Sequence, residues 1–200
     1  MKTKLLLLLT LLLTSQQFAQ AYTLNGKRWV EPVYTVVLPS TLNDPALVKR
    51  VRFIMQQIKN NVPMRVRFKV LDGAFTGIFE ALDFARETNS VYVLYQPGED
   101  YGLGTRVANC GFIASRGSTE VHAGLIRIND IRYKEVTAGG DINYLAQVIG
   151  HELCHKLGLG HSKKKDRKPD PIMSIGKFKR FNRKHFGLTR DDKRGLREIY

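Results

Sequence analysis

An α+β domain is what this 200-residue sequence predicts. Three observations carry that reading. Strand-like alternation and one amphipathic helix share the first two-thirds of the chain, helical patterns dominate the rest, and 43% of residues are apolar, enough for one packed core. Ten Phe and eight Tyr exclude a wholly disordered chain in spite of a formal net charge of +14. Two cysteines are too few for a disulfide-stapled miniprotein. Neither a collagen-like period nor a solenoid repeat is present.

The elements follow in order. Lys2 and Lys4 precede the apolar run Leu5–Leu13, broken only by Thr10, and Ala19-Gln20-Ala21 closes the segment. A charged start, a short apolar centre and a small-residue exit predict a secretory signal peptide over residues 1–21. The run falls well short of the roughly 20 residues of a spanning helix, so cleavage after Ala21 leaves no membrane span. Residues 22–200 are then expected as one secreted, extracellular domain. In an oxidising compartment Cys110 and Cys154 could form one disulfide, while Cys154 fits a small buried hydrophobe equally well.

Pro45–Asn60 puts Leu47, Val48, Val51, Ile54, Met55 and Ile58 on one helical stripe, with Asp44 as its start. Val66, Phe68 and Val70 alternate with Arg65, Arg67 and Lys69, a half-buried strand. Phe75–Glu87 fits a short helix or an irregular run. Ser90–Tyr95 predicts a strand that ends at Pro97-Gly98, Tyr101–Gly117 a glycine-rich irregular stretch, and Leu125–Asn129 a further strand. Gly102-Leu103-Gly104 is no nucleotide loop, because Val107 stands where a third glycine is needed. Asp141 opens an apolar helix through Leu157, and a basic, proline-broken loop spans Ser162–Pro171. In the closing helix, Thr189 and Asp192 fit a capping box, with Leu196 and Ile199 as apolar contacts.

The chemistry concentrates in His151-Glu152-Leu153-Cys154-His155-Lys156-Leu157-Gly158-Leu159-Gly160-His161. Residues four apart on a helix lie one above the other, so His151 and His155 point the same way and can share one zinc ion. Glu152 then stands beside the metal, placed to take a proton from the water that the metal activates. Gly158 can take positive φ, end the helix and turn His161 in as a third ligand. Three protein ligands leave one zinc position open, the mark of a catalytic site. Background residue frequencies produce this full pattern in about one random chain in 10⁵ of this length.

These residues match the long zinc-binding motif of the metzincin metallopeptidases, and His161-Ser162 resembles the matrixin branch. Met173, in Pro171-Ile172-Met173-Ser174, looks like the methionine that floors the metal site in that family without ligating it. Residues 188–200 are similar to the terminal helix of matrixin catalytic domains. The resemblance covers Asp141–Tyr200, and it implies a zincin-like fold: a small twisted mixed sheet, an active-site helix and a C-terminal helix over residues 22–200. It also implies a zinc-dependent endopeptidase with Glu152 as general base, acting on a protein or peptide substrate that lies extended along an edge strand somewhere in Val107–Asn129.

Several features depart from that family. The loop from His161 to Met173 looks long and carries Lys163, Lys164, Lys165, Arg167 and Lys168, and no tyrosine closely follows Met173. His122 is the one histidine upstream of the motif, expected as a solvent-facing strand residue, so a single catalytic zinc is predicted. Asp100, Asp130 and Asp141 form no recognisable calcium loop, which leaves calcium open. The family's usual latency prodomain has no room before the first strand, and Cys110 has no setting that marks it as an internal inhibitory thiolate.

Residues 163–200 carry 14 Lys+Arg against five Asp+Glu, so an acidic or anionic partner and a merely solvated face are equal readings of this segment. No motif of specific nucleic-acid recognition accompanies it. Two alternatives to the enzyme remain: a secreted cationic binding module for anionic polymers with a non-catalytic zinc, and an inactive peptidase relative, against which the intact Glu152 argues.

Overall fold

The computed structural model describes residues 23–114, 117–162, 172–173 and 186–200. The predicted signal peptide, the basic loop 163–171 and most of the basic segment that follows lie outside the described residues. Among the described residues the elements in chain order are β1 (Thr23–Leu24), β2 (Arg28–Trp29), β3 (Val33–Leu38), α1 (Pro45–Lys59), β4 (Arg65–Val70), α2 (Ile78–Glu87), β5 (Ser90–Leu94), β6 (Ala108–Ile113), β7 (Glu120–Val121), β8 (Ala123–Ile128), α3 (Asp130–Thr137), α4 (Ile142–Lys156), β9 (Leu159–Gly160) and α5 (Arg190–Ile199). No described helix is long and apolar enough to cross a membrane.

A five-stranded mixed sheet, in the order β4-β3-β5-β8-β6, is the frame. Its first four strands are parallel, and β6 runs antiparallel to β8 from Ala108 opposite Ile128 to Ile113 opposite Ala123. Central β5 is buried at every position, as a strand covered on both faces must be. Helices α1 and α4 close one face around Val36, Leu38, Val91, Val93, Ile126 and Ile128. Helix α2 closes the other, setting Ala81 and Ala85 against Val37, Tyr92, Leu94 and Leu125.

The predicted helix and strand of the first half form where the pattern places them. Asp44 accepts the Ala46 and Leu47 N–H groups, Pro45 fills the first turn, and Leu47, Val51, Ile54, Met55 and Ile58 are buried. In β4, Arg65, Arg67 and Lys69 are exposed while Val66, Phe68 and Val70 are half-buried. At the other end of the chain the Thr189–Asp192 capping box forms, with Leu196 buried. The ambiguous stretch resolves as α2, which starts at Ile78 behind Gly77 rather than at Phe75.

Beyond β3 and the two-residue strands, which the sequence reading did not name, two elements differ from it. Part of the stretch read as irregular, 101–117, is β6. Asn109 and Gly111 dilute its alternation, and pairing with β8 supplies what local propensity lacks. Helix α3 has no apolar stripe to announce it, since only Asp130 and Tyr133 are buried. It starts because Asn129 accepts the Arg132 N–H.

The end of α4 is fixed from the start of the described chain. Strand β1 pairs with β9, the Asn25 N–H donates to the Gly158 carbonyl at 2.9 Å, and the Asn25 amide donates to the His155 carbonyl at 2.8 Å. Gly158 adopts φ +100°, and a Cβ there would run into the Lys27 carbonyl oxygen, so only glycine fits. Gly158→Ala is therefore expected to lower stability by about 2 kcal/mol or more, from positive φ and the clash together. A denaturant midpoint equal to that of the unsubstituted protein would contradict this.

Candidate metal centre and active site

Helix α4 begins where Asp141 accepts the Asn143 and Tyr144 N–H groups. It is held on the sheet by the Tyr34 hydroxyl, which donates to the Leu153 carbonyl at 3.1 Å. One turn apart on this helix, the rings of His151 and His155 lie 4.6 Å apart between centroids. The Gly158 turn carries the chain back, placing the His161 ring 5.3 Å from His151 and 4.7 Å from His155. Each of the three offers one ligand atom within 4.8 Å of the others, the one such cluster among the described residues.

Carbonyl partners decide which nitrogens face inward. His151 Nδ1 lies 2.6 Å from the Ile172 carbonyl oxygen and His155 Nδ1 lies 2.7 Å from that of Leu159. A carbonyl only accepts, so in both rings Nδ1 carries the proton and Nε2 keeps its lone pair. His155 Nε2 and His161 Nε2 are 3.2 Å apart. Two nitrogens bound at about 2.0–2.1 Å to a tetrahedral zinc lie about 3.3 Å apart. Burial, with the neighbouring His155, holds His151 down at about 3, burial brings His155 to about 4, and burial lowers His161 as well. All three are thus neutral at neutral pH, the form that binds a metal. The donor set fits zinc.

Glu152 is 7% exposed, and burial raises its carboxyl to about 7 against the lowering effects of a hydrogen bond from Cys110 and the charge of Lys156. A carboxylate poised near neutrality beside a metal cluster suits proton transfer. Met173 is wholly buried, and its carbonyl accepts the Ser162 N–H at 2.7 Å. Its neighbour Ile172 holds the first histidine, so this turn is tied both to the ligand helix and to the residue after the third histidine.

Sequence reasoning missed what fastens the turn itself. Asp192 was expected only as part of a capping box, yet its Oδ2 also accepts the Ile172 N–H at 3.0 Å, beside the Thr189 N–H at 2.9 Å and the Thr189 hydroxyl at 2.7 Å. Nothing in the local pattern signals a bond to a residue 20 positions earlier. Lys156 was also passed over. It is wholly buried, and its ammonium donates to the Gly111 carbonyl on β6.

The disulfide left open between Cys110 and Cys154 is absent, since both cysteines are free. Cys110 lies half-buried on β6, while Cys154 is wholly buried on α4. Nor does the Cys110 sulfur belong to the histidine cluster. His122 sits between β7 and β8, half-buried, with Nδ1 2.8 Å from Glu31. The three carboxylates considered for calcium are engaged separately: Asp100 with the Gly102 N–H, Asp130 with Tyr95, Gly98 and Lys134, and Asp141 at the start of α4.

Neutral imidazoles that converge from a helix and from the turn ending it, over a mixed sheet, are the arrangement of a zincin-type metallopeptidase. The chain belongs to the matrixin family, whose model matches residues 52–200 and so takes in every residue of the cluster, Glu152 and Met173. No curated protein matches the chain.

If Asp192 holds the methionine turn in place, Asp192→Ala leaves the buried Ile172 N–H without its acceptor. The expected result is a loss of about 1–3 kcal/mol in stability together with weaker zinc retention in a metal-competition titration. Unchanged zinc affinity would show that the turn does not need this anchor.

Proposed function

We propose that the protein is a secreted zinc-dependent endopeptidase. The observation that carries this reading is the convergence of His151, His155 and His161 next to the buried Glu152, within a matrixin chain. Zinc, when bound, supplies Lewis acidity that polarises the scissile carbonyl and acidifies water. The three histidines would hold the ion, and the Ile172 and Leu159 carbonyls set the tautomers of His151 and His155 so that Nε2 of each is free to do so. Glu152 accepts the proton of the attacking water and then delivers it to the departing amine nitrogen.

Strand β6 is the natural track for the substrate, because it ends the sheet and packs beside α4. The Asn129 N–H donates to the Val107 carbonyl, so the bonded pairs of the antiparallel ladder continue through Asn109–Arg127 and Gly111–Leu125. The backbone groups of Ala108, Cys110 and Phe112 then face the open edge, where an extended peptide can pair with them. The N-terminal pattern supports export, and the basic segment 163–200 would concentrate acidic substrates or anionic surfaces near the site.

Hydrolysis of an unstructured protein such as casein by residues 22–200 tests the proposal. Activity is expected to vanish with a chelator and return with zinc. Glu152→Ala should lower kcat by about 10²–10⁴-fold while zinc content stays at one ion per chain. Equal cleavage by the Glu152→Ala variant would remove Glu152 as the base. Polyanion binding without hydrolysis of any peptide would favour a cationic binding module instead.

A further inference from the structure

Strand β4 closes the sheet at the end opposite β6. It pairs with β3 alone, so among the described residues no strand covers its outer side. The Arg65 N–H donates to the Pro32 carbonyl and the Leu71 N–H to the Leu38 carbonyl. Residues 65, 67, 69 and 71 therefore turn their backbone groups toward β3, while Val66, Phe68 and Val70 turn theirs outward. A six-residue edge with such donors and acceptors is a template for another strand.

Charge decides what can use it. From Pro45 to Leu71 the chain carries seven Lys and Arg and no Asp or Glu. On one face of β4 the exposed Arg65, Arg67 and Lys69 stand in a row, about 7 Å from one to the next. On the other face Arg52 of α1 lies over Phe68, its guanidinium carbon 5.2 Å from the ring centre. Lys49 and Lys59 continue the exposed stripe of α1 that holds Arg52. Among the described residues none of Arg52, Arg65, Arg67 and Lys69 forms an ion pair. Like charges directly opposite one another destabilise a ladder, so the same row repels a second copy of β4 and attracts a strand of opposite sign.

We propose that β4 is a docking edge for an extended acidic segment of a partner protein, which adds to the sheet as one further strand. Backbone pairing with Val66, Phe68 and Val70 holds the segment. Its alternate Asp or Glu side chains then come opposite Arg65, Arg67 and Lys69, at Cβ separations of about 5 Å. The intervening side chains meet the half-buried Val66 and Phe68, a place for apolar groups. A polysaccharide or a lipid headgroup matches the charge but has no alternating amide edge, so the open ladder favours a peptide. Three strands separate β4 from β6, about 19 Å across the sheet, so a segment held here leaves the histidine cluster free. The site stands whether or not the chain hydrolyses peptides.

The test measures binding of a labelled peptide of alternating Glu and Val to the protein carrying Glu152→Ala, which keeps the probe from being cleaved. Binding is expected, and it should weaken as salt is raised. Arg65→Glu, Arg67→Glu and Lys69→Glu together should raise Kd about tenfold or more, with the thermal unfolding midpoint nearly unchanged. Amide exchange at Val66, Phe68 and Val70 should slow when the peptide is bound, and unchanged exchange there would overturn the proposal. Two N-methylated peptides keep the test independent of how the charge-reversed variant folds. An added strand shows only alternate N–H groups to its neighbour, so methylation of one alternate set should abolish binding and methylation of the other should leave it. Equal effects of the two methylations would overturn the proposal. So would an unchanged Kd in the charge-reversed variant, which would move the acidic partner to segment 163–200. Inorganic polyphosphate bound as tightly as the peptide would replace it with a general polyanion surface.

Discussion

The hydrogen bond between His151 and the Ile172 carbonyl joins the active helix to the segment that contains Met173, across 21 positions of the chain. It fixes the tautomer of the first ligand, so that Nε2 is left for a metal. It also requires the segment containing Met173 to lie directly against the active helix. That in turn demands an acceptor for the Ile172 N–H, which Asp192 supplies from α5. Ligand helix, methionine turn and terminal helix are thus one mechanical unit, with buried polar groups satisfying each other along its length. Removing any member strands a polar atom where water cannot easily replace it.

Much of this was readable in the sequence, and unevenly so. The histidine spacing, Glu152 and the glycine turn are local facts, and helical geometry converts them directly into a cluster. Amphipathic α1 and the alternation of β4 were legible for the same reason. What escaped was long-range. Strand β6 carries a glycine and an asparagine and becomes a strand through its pairing with β8. Asp192 looks like an ordinary cap until a residue 20 positions away comes to rest on it. Lys156 carries no local signal of burial, and only the absence of a side chain at Gly124 makes room for it. The two cysteines illustrate the same limit, since one lies on β6 and the other on α4, and their relation depends on how that strand packs against that helix.

The electrostatics of the site follow from one cause acting on opposite kinds of group. Burial disfavours charge, so it keeps the imidazoles neutral and raises the carboxyl of Glu152. Neutral ligands are ready to bind, and a carboxylate near neutrality is ready to accept a proton. Lys156 and Cys110 lower the effect of burial on Glu152. A single environment therefore prepares donors and base together.

The bonds from Asn25 to the rim of the ligand turn, and from the Trp29 N–H to the Tyr200 hydroxyl, join residues 130 and 171 positions apart. Closing such large loops is entropically slow. The ligand turn is accordingly fastened by contacts among the most non-local in the described chain, and its shape depends on residues far outside the zinc-binding motif.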